Sequence, residues 1–224
     1  MLDLENTYKS GEKPEKAVVF LHGYGADGAD LLSMVPLMAS DLPNTLFYAP
    51  NAPYEMGYGS YKWFEIEGLE SPSVFERFGY LDELAKRARK EVFIVHEVLK
   101  EIYLTYGIKT EKISIVGFSQ GGLLGVLSAL TYSEKINSVA GCSAVPLVLG
   151  EAFQPQEVLN RMPVFLSHGT ADDVVPFVGF EIMQNTLKNM DLKLTTHIVD
   201  GMGHGIDTTT QGSLTDFLKK NLGQ

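Results

Sequence analysis

Short unbroken apolar runs alternate along this chain with longer segments whose apolar positions recur at helical spacing. "AVVFLHG" (17–23), "NTLFYAPNAP" (44–53) and "KISIVG" (112–117) read as strands. So do "INSVAGCSA" (136–144), "MPVFLSHG" (162–169) and "LKLTTHIVDG" (192–201). Helical periodicity covers 26–42, with Pro36 as an interruption. It returns in 81–107, where Gly107 is the stop, then from Gly121, over 177–190 and over 208–222. Residues 54–80 are aromatic, glycine-containing and aperiodic, a long excursion between an early strand and the long helix. Continuous apolar strands alternating with amphipathic helices predict a single α/β domain over 1–224. Its sheet should be mostly parallel, with helices on both faces. Functional groups in such folds gather on loops at the carboxyl ends of the strands.

Composition narrows the picture. The chain has 224 residues, 45% of them hydrophobic, which suits one soluble domain. No apolar stretch reaches the roughly 20 residues of an integral membrane helix. The start, "MLDLENTYKSGEKPEK", lacks the basic and apolar regions of a signal peptide. The one cysteine, Cys142, excludes an internal disulfide and makes a reducing cytoplasm the simplest expectation. A net charge of −10 argues against nucleic acid and anionic membrane surfaces as partners. A homodimer and a monomer are equally compatible with these features.

Chemistry enters with "ISIVGFSQGGLLGVL" (113–127), where a buried strand runs into a serine and then into a helix. "GFSQG" matches Gly-x-Ser-x-Gly, and strand–turn–helix is the context that a nucleophile elbow requires. Small residues two before and two after Ser119 let strand and helix approach. The turn aims the helix N-terminus at the hydroxyl. A bland reading, a glycine-rich joint with an incidental serine, does not account for the rest of the constellation. A serine needs a base, and the elbow fold orders Ser, acid, His. His22 and His96 precede Ser119. His168 precedes the acidic candidates and reads as a packed residue of the "SHG" turn, and His197 lies mid-strand. His204, in the loop "DGMGHGID" after the last strand, is the candidate base. Asp172 and Asp173 both follow the preceding strand, while Asp200 suits a turn better. The N–H of Gln120 and that of Tyr24, in "FLHGYGADG" (20–28), are the candidate oxyanion donors. No His-Glu-x-x-His motif and no Cys/His cluster occurs, so neither metal nor cofactor is implied.

These segments together resemble the phospholipase/carboxylesterase group of α/β-hydrolases, which includes the acyl-protein thioesterases. "FLHGYGADG", "APNAP", "WFEIEGL", "GFSQGG", "HGTADDVVP" and "GMGH" follow the family order across nearly the whole chain. The resemblance implies a single α/β-hydrolase domain. It puts the nucleophile on Ser119, the acid on Asp172, the base on His204 and the oxyanion donors on Tyr24 and Gln120. It implies hydrolysis of carboxylic esters or thioesters, from small acyl esters or acylated proteins, through an acyl-enzyme. Tyr24 stands where relatives often carry leucine, which narrows the acyl entrance. The rings of 54–80 include Trp63, expected on the wall of a groove for acyl chains of short to medium length, with "WFEI" as an edge strand. Alternatives are a lysophospholipase, which shares the chemistry, and a hydrolase-fold binding protein that has lost catalysis. A dienelactone-hydrolase-like enzyme would carry cysteine at the elbow.

Overall fold

The structure is a computed structural model, and it describes residues 6–66 and 78–223. Its centre is a seven-stranded sheet. The strands are β1 (Thr7–Lys9), β2 (Lys16–Leu21), β3 (Thr45–Tyr48), β6 (Ile113–Phe118), β7 (Ser138–Cys142), β8 (Val164–Gly169) and β9 (Leu194–Val199). A separate hairpin pairs β4 (Tyr54–Gly57) with β5 (Ser60–Lys62). The order across the sheet is β1-β3-β2-β6-β7-β8-β9. All neighbours are parallel except β1, which runs antiparallel to β3. The α/β architecture expected above is therefore present, with one edge strand added.

The central strands are buried on both faces, and their side chains sort by period two. Ala17, Val19 and Leu21 of β2 join Ile113 and Ile115 of β6 in one core. Helices α3 (Phe78–Tyr106), α4 (Gln120–Thr131) and α5 (Phe177–Lys188) cover that face. Val18, Phe20, Val116 and Phe165 point the other way. They meet α1 (Gly28–Leu32), α2 (Val35–Met38) and α6 (Thr208–Leu222), which contributes Leu214, Phe217, Leu218 and Leu222. Those four recur at helical spacing, as an apolar stripe must. No described helix is long and apolar enough to cross a membrane.

Two sequence expectations need correction. The helix expected over 26–42 is broken into α1 and α2. Proline is tolerated only in a first helical turn, so Pro36 sits at the start of a second, short helix rather than inside one. "WFEI" is not an edge strand: β5 ends at Lys62, and Trp63 and Phe64 are both buried. The expectations for 67–77 lie outside the described residues. Gly107 does end α3, at φ +71, with its N–H on the Tyr103 carbonyl at 2.8 Å.

Candidate active site

Ser119 joins β6 to α4 with φ 52 and ψ −115, a conformation unfavourable for any side chain. The surroundings over-determine it. Its N–H donates to the Cys142 carbonyl at 3.0 Å, and its carbonyl accepts from Gly122 at 3.0 Å and Val145 at 3.1 Å. Strand and helix meet so closely that a Cβ on Gly117 would lie 2.1 Å from the Gly121 carbonyl oxygen. One on Gly121 would lie 2.1 Å from that of Leu21. The spacing of the "GFSQG" glycines is thus a steric requirement of the turn. The N–H of Gln120, first in α4, has no intrahelical acceptor and sits at the positive end of the helix.

Asp172 lies three residues beyond the end of β8. Its Oδ1 accepts from the N–H groups of Val174 at 3.0 Å and Val175 at 2.8 Å. Its Oδ2 is 2.8 Å from His204 Nδ1. A carboxylate only accepts, so Nδ1 carries the proton and Nε2 keeps a lone pair. Burial pushes the Asp172 carboxyl upward. The hydrogen bond and charge of His204, the Val175 N–H and His168 outweigh it and hold the group below the usual carboxylate range. The His204 loop packs directly on Gly169, where a Cβ would come within 2.0 Å of the Met202 carbonyl oxygen. Ala171 N–H donates to that same oxygen at 3.0 Å, and Ser143 Oγ donates to the Gly205 carbonyl at 3.3 Å. The His204 ring lies 4.8 Å, centre to centre, from that of Phe118, the residue before Ser119. Asp173 is exposed, and Asp200 accepts from Thr170 Oγ1 at 2.8 Å in the turn after β9. His96 reaches the Ser128 carbonyl, and His197 lies between Ser213 and Thr209.

The turn after β2 lies against the elbow: a Cβ on Gly23 would be 3.4 Å from Ser119 Cβ. Tyr24 and Gln120 each follow one of these two neighbouring residues in the chain. The Tyr24 hydroxyl donates to Glu65 Oε1 at 3.2 Å, and Glu65 also pairs with Lys62. His22 pins the turn from below. Ala52 N–H donates to its Nε2 at 3.0 Å, so Nδ1 bears the proton and donates to the Gly23 carbonyl at 2.7 Å. Burial pushes this imidazole's pKa down and keeps it neutral. Trp63 departs from its expected place. Its indole is fully buried, with Nε1–H on the His22 carbonyl at 2.9 Å, so it supports the turn from beneath and offers no surface to a groove. The Gln120 side chain accepts from Trp63 N–H at 2.9 Å and donates to the Phe64 carbonyl at 2.7 Å. The roles of the His22 ring and the Gln120 amide escaped the sequence reading. The available signal was a lone amide heading a helix otherwise composed of small and apolar residues.

A strand–Ser–helix elbow, an Asp–His pair and a glycine turn at the carboxyl ends of a parallel sheet define the chain as an α/β-hydrolase. It belongs to the phospholipase/carboxylesterase family, whose family model matches residues 2–222. Acyl-protein thioesterase 1 of Mycosarcoma maydis is 29% identical over 228 residues, spanning 95% of this chain and 93% of that protein. Acyl-protein thioesterase 1 of Neurospora crassa is 28% identical over 217 residues, spanning 92% and 86%. The crystal structure of esterase PE8 superposes with a TM-score of 0.84 at 29% identity, over 96% of this chain and 97% of that one. Arabidopsis thaliana SOBER1 shares the fold, with a TM-score of 0.72 at 23% identity over 92% and 99%. The chain is a serine hydrolase of the class that cleaves esters and thioesters.

Proposed function

We propose that Ser119, His204 and Asp172 act as a triad that hydrolyses carboxylic esters and thioesters of short to medium acyl chains. Ser119 Oγ attacks the acyl carbon while His204 Nε2 takes its proton. The negative oxygen of the tetrahedral intermediate is held by the N–H groups of Tyr24 and Gln120. His204 returns the proton to the departing alcohol or thiol, leaving the acyl group on Ser119. Water then attacks by the same route in reverse and regenerates the serine. The observation that carries this reading is the 2.8 Å contact of His204 Nδ1 with Asp172, which leaves Nε2 as the base at the corner of the elbow.

The acylated-protein substrates named for the two thioesterases and the ester substrates named for PE8 both support an acyl substrate for this chain. Each methylene buried contributes about 0.8 kcal/mol. kcat/KM should therefore rise roughly two- to fourfold per added carbon from short to medium chains. The lone buried cysteine supports a reducing, cytoplasmic setting.

The test is labelling with a fluorophosphonate and turnover on p-nitrophenyl esters, acyl-thioesters and a lysophospholipid of graded chain length. Ser119→Ala should abolish labelling. Ser119→Ala and His204→Ala should each lower turnover by about 10⁶. A tenth of wild-type turnover surviving Ser119→Ala would remove the elbow assignment. Best turnover on acetyl esters would remove the chain-length assignment alone. Strong preference for the lysophospholipid would move the substrate class to phospholipids.

A further inference from the structure

His168 closes β8 and is 1% exposed, yet no step of the proposed reaction uses it. Its Nε2 lies 2.8 Å from the Val175 carbonyl oxygen and 3.3 Å from Asp172 Oδ2. Both are pure acceptors, so Nε2 carries the proton; that N–H is hydrogen-bonded to the Val175 carbonyl and lies close to Asp172 Oδ2. Val175 is also the residue whose N–H donates to Asp172 Oδ1. The imidazole therefore anchors the Val175 end of the loop 172–175 and stands against Asp172 at the other end. Phe177 and Phe180 stand beside the ring, with centres 6.1 and 5.8 Å away. Burial pushes the pKa of His168 down and keeps it neutral, a donor that does not compete for the charge of Asp172.

Asp172 consequently faces three donors, the N–H groups of Val174 and Val175 on Oδ1 and His204 on Oδ2, with the His168 ring 3.3 Å from Oδ2 on its other side. Without His168 the Val175 carbonyl loses its donor, and the loop keeps only the Asp172 N–H on the Gly169 carbonyl, at 3.4 Å, as a hydrogen bond to β8 among the described residues. A polar ring against a stacked pair of phenylalanines would be a poor choice for packing alone, since leucine fills such a space without needing partners. We infer that His168 is a positioning residue for the acid of the triad, fixing the Val175 end of the loop whose N–H holds Asp172, so that His204 is held in the productive orientation. This rests on the triad reading above. Misplacement of a catalytic group by about 1 Å can cost on the order of 100-fold in rate.

The experiment compares His168→Leu, His168→Asn and His168→Gln in the full chain, each checked for folding by circular dichroism and thermal melting. Leucine fills space but donates nothing. Asparagine ends short of the Nε2 position. Glutamine places an amide N–H near it. His168→Leu and His168→Asn should lower kcat about 10- to 100-fold with KM within about twofold. His168→Gln should return kcat to within about fivefold of wild type. The low-field proton resonance of His204 Nδ1–H should be lost or moved in the first two and retained in the third, a change that looser packing alone would not produce. A folded Leu or Asn variant with wild-type kcat overturns the inference, as does a folded Gln variant as slow as the Leu variant. Ser119→Ala and His204→Ala run in parallel separate the two failures. If those keep turnover, the triad reading has failed. If they lose it while the His168 variants do not, only the role of His168 has failed.

Discussion

A carboxylate that accepts on both oxygens from fixed donors tolerates no exchange of oxygen for NH₂. In Asp172→Asn the amide oxygen must stay on the Val174 and Val175 N–H groups, which turns NH₂ toward His204 Nδ1. That favours the wrong tautomer, with Nε2 protonated and no longer a base. The expected cost is about 10⁴ in kcat/KM. Asp173→Asn should stay within about threefold, because Asp173 is exposed next door. Ester hydrolysis by the two variants side by side is the measurement, and a larger loss at Asp173 would reverse the assignment. Cys142 gives a second test at this scale. Its carbonyl holds the Ser119 N–H, but its thiol is buried and pushed up to about 11 by loss of solvation, partly offset by Ser167. The native protein should leave a disulfide reagent such as Ellman's unconsumed for hours. The unfolded chain should release one equivalent, matching its one cysteine.

Elements differ in what a methyl group does to them. Gly121 opens α4 against the backbone of β2, and nothing there can retreat. Gly121→Ala should cost more than about 2 kcal/mol or prevent folding. Gly212 lies on the exposed side of α6 with nothing within 4 Å of a built Cβ. Gly212→Ala should stabilise by about 0.5–1 kcal/mol through helix propensity and a less free unfolded chain. The first turn of the same helix depends on Asp207, whose Oδ1 accepts from Thr210 N–H at 2.7 Å. Asp207→Ala should cost about 1 kcal/mol. Urea unfolding of the three variants checks all of this. A Gly121→Ala protein as stable as wild type would mean that the elbow is looser than the structure has it.

For the whole molecule, pH links the site to stability. His22 and His168 are buried and His96 half-buried, and loss of solvation lowers the pKa of all three. The unfolded chain therefore takes up protons near the ordinary histidine value of about 6.5 while the folded chain resists. Stability from this source is full above that pH and is lost as pH falls below it toward the depressed folded values. Asp172, held below the carboxylate range, remains ionised throughout this interval and loses its contribution only in stronger acid. The net charge of −10 works in the opposite sense, since acid relieves repulsion as the protein approaches its isoelectric point. Added salt screens that term and leaves the buried imidazoles unaffected. At about 0.3 M salt, the unfolding free energy should fall between about pH 6.5 and 5. A flat or rising profile would mean that these rings are not held neutral.

Periodicity alone carried most of the architecture. Residues 208–222 form α6 as read, and the long helix differs from its expected 81–107 only at its ends. Continuous apolar strands report burial on both faces, and strict small-residue spacing around Ser119 reports a strand and helix in contact. Both are local signals, written in neighbouring residues. Strand β1 escaped notice because three residues, two of them exposed, gain their place only by pairing with β3. The break at Pro36 could be suspected from sequence, but its outcome depended on what the two halves pack against. Tertiary structure decided the partners. Asp172 rather than Asp173 meets a histidine 32 positions away. Trp63 turned inward because the His22 carbonyl, 41 positions earlier, and the Gln120 amide, 57 positions later, need it there. From sequence His168 reads as a packed turn residue and His22 only as a histidine ahead of Ser119, and their partners appear only in the fold. A residue's spacing tells which face it occupies. Which distant atom it meets depends on how the layers close, and no stretch of neighbouring residues encodes that.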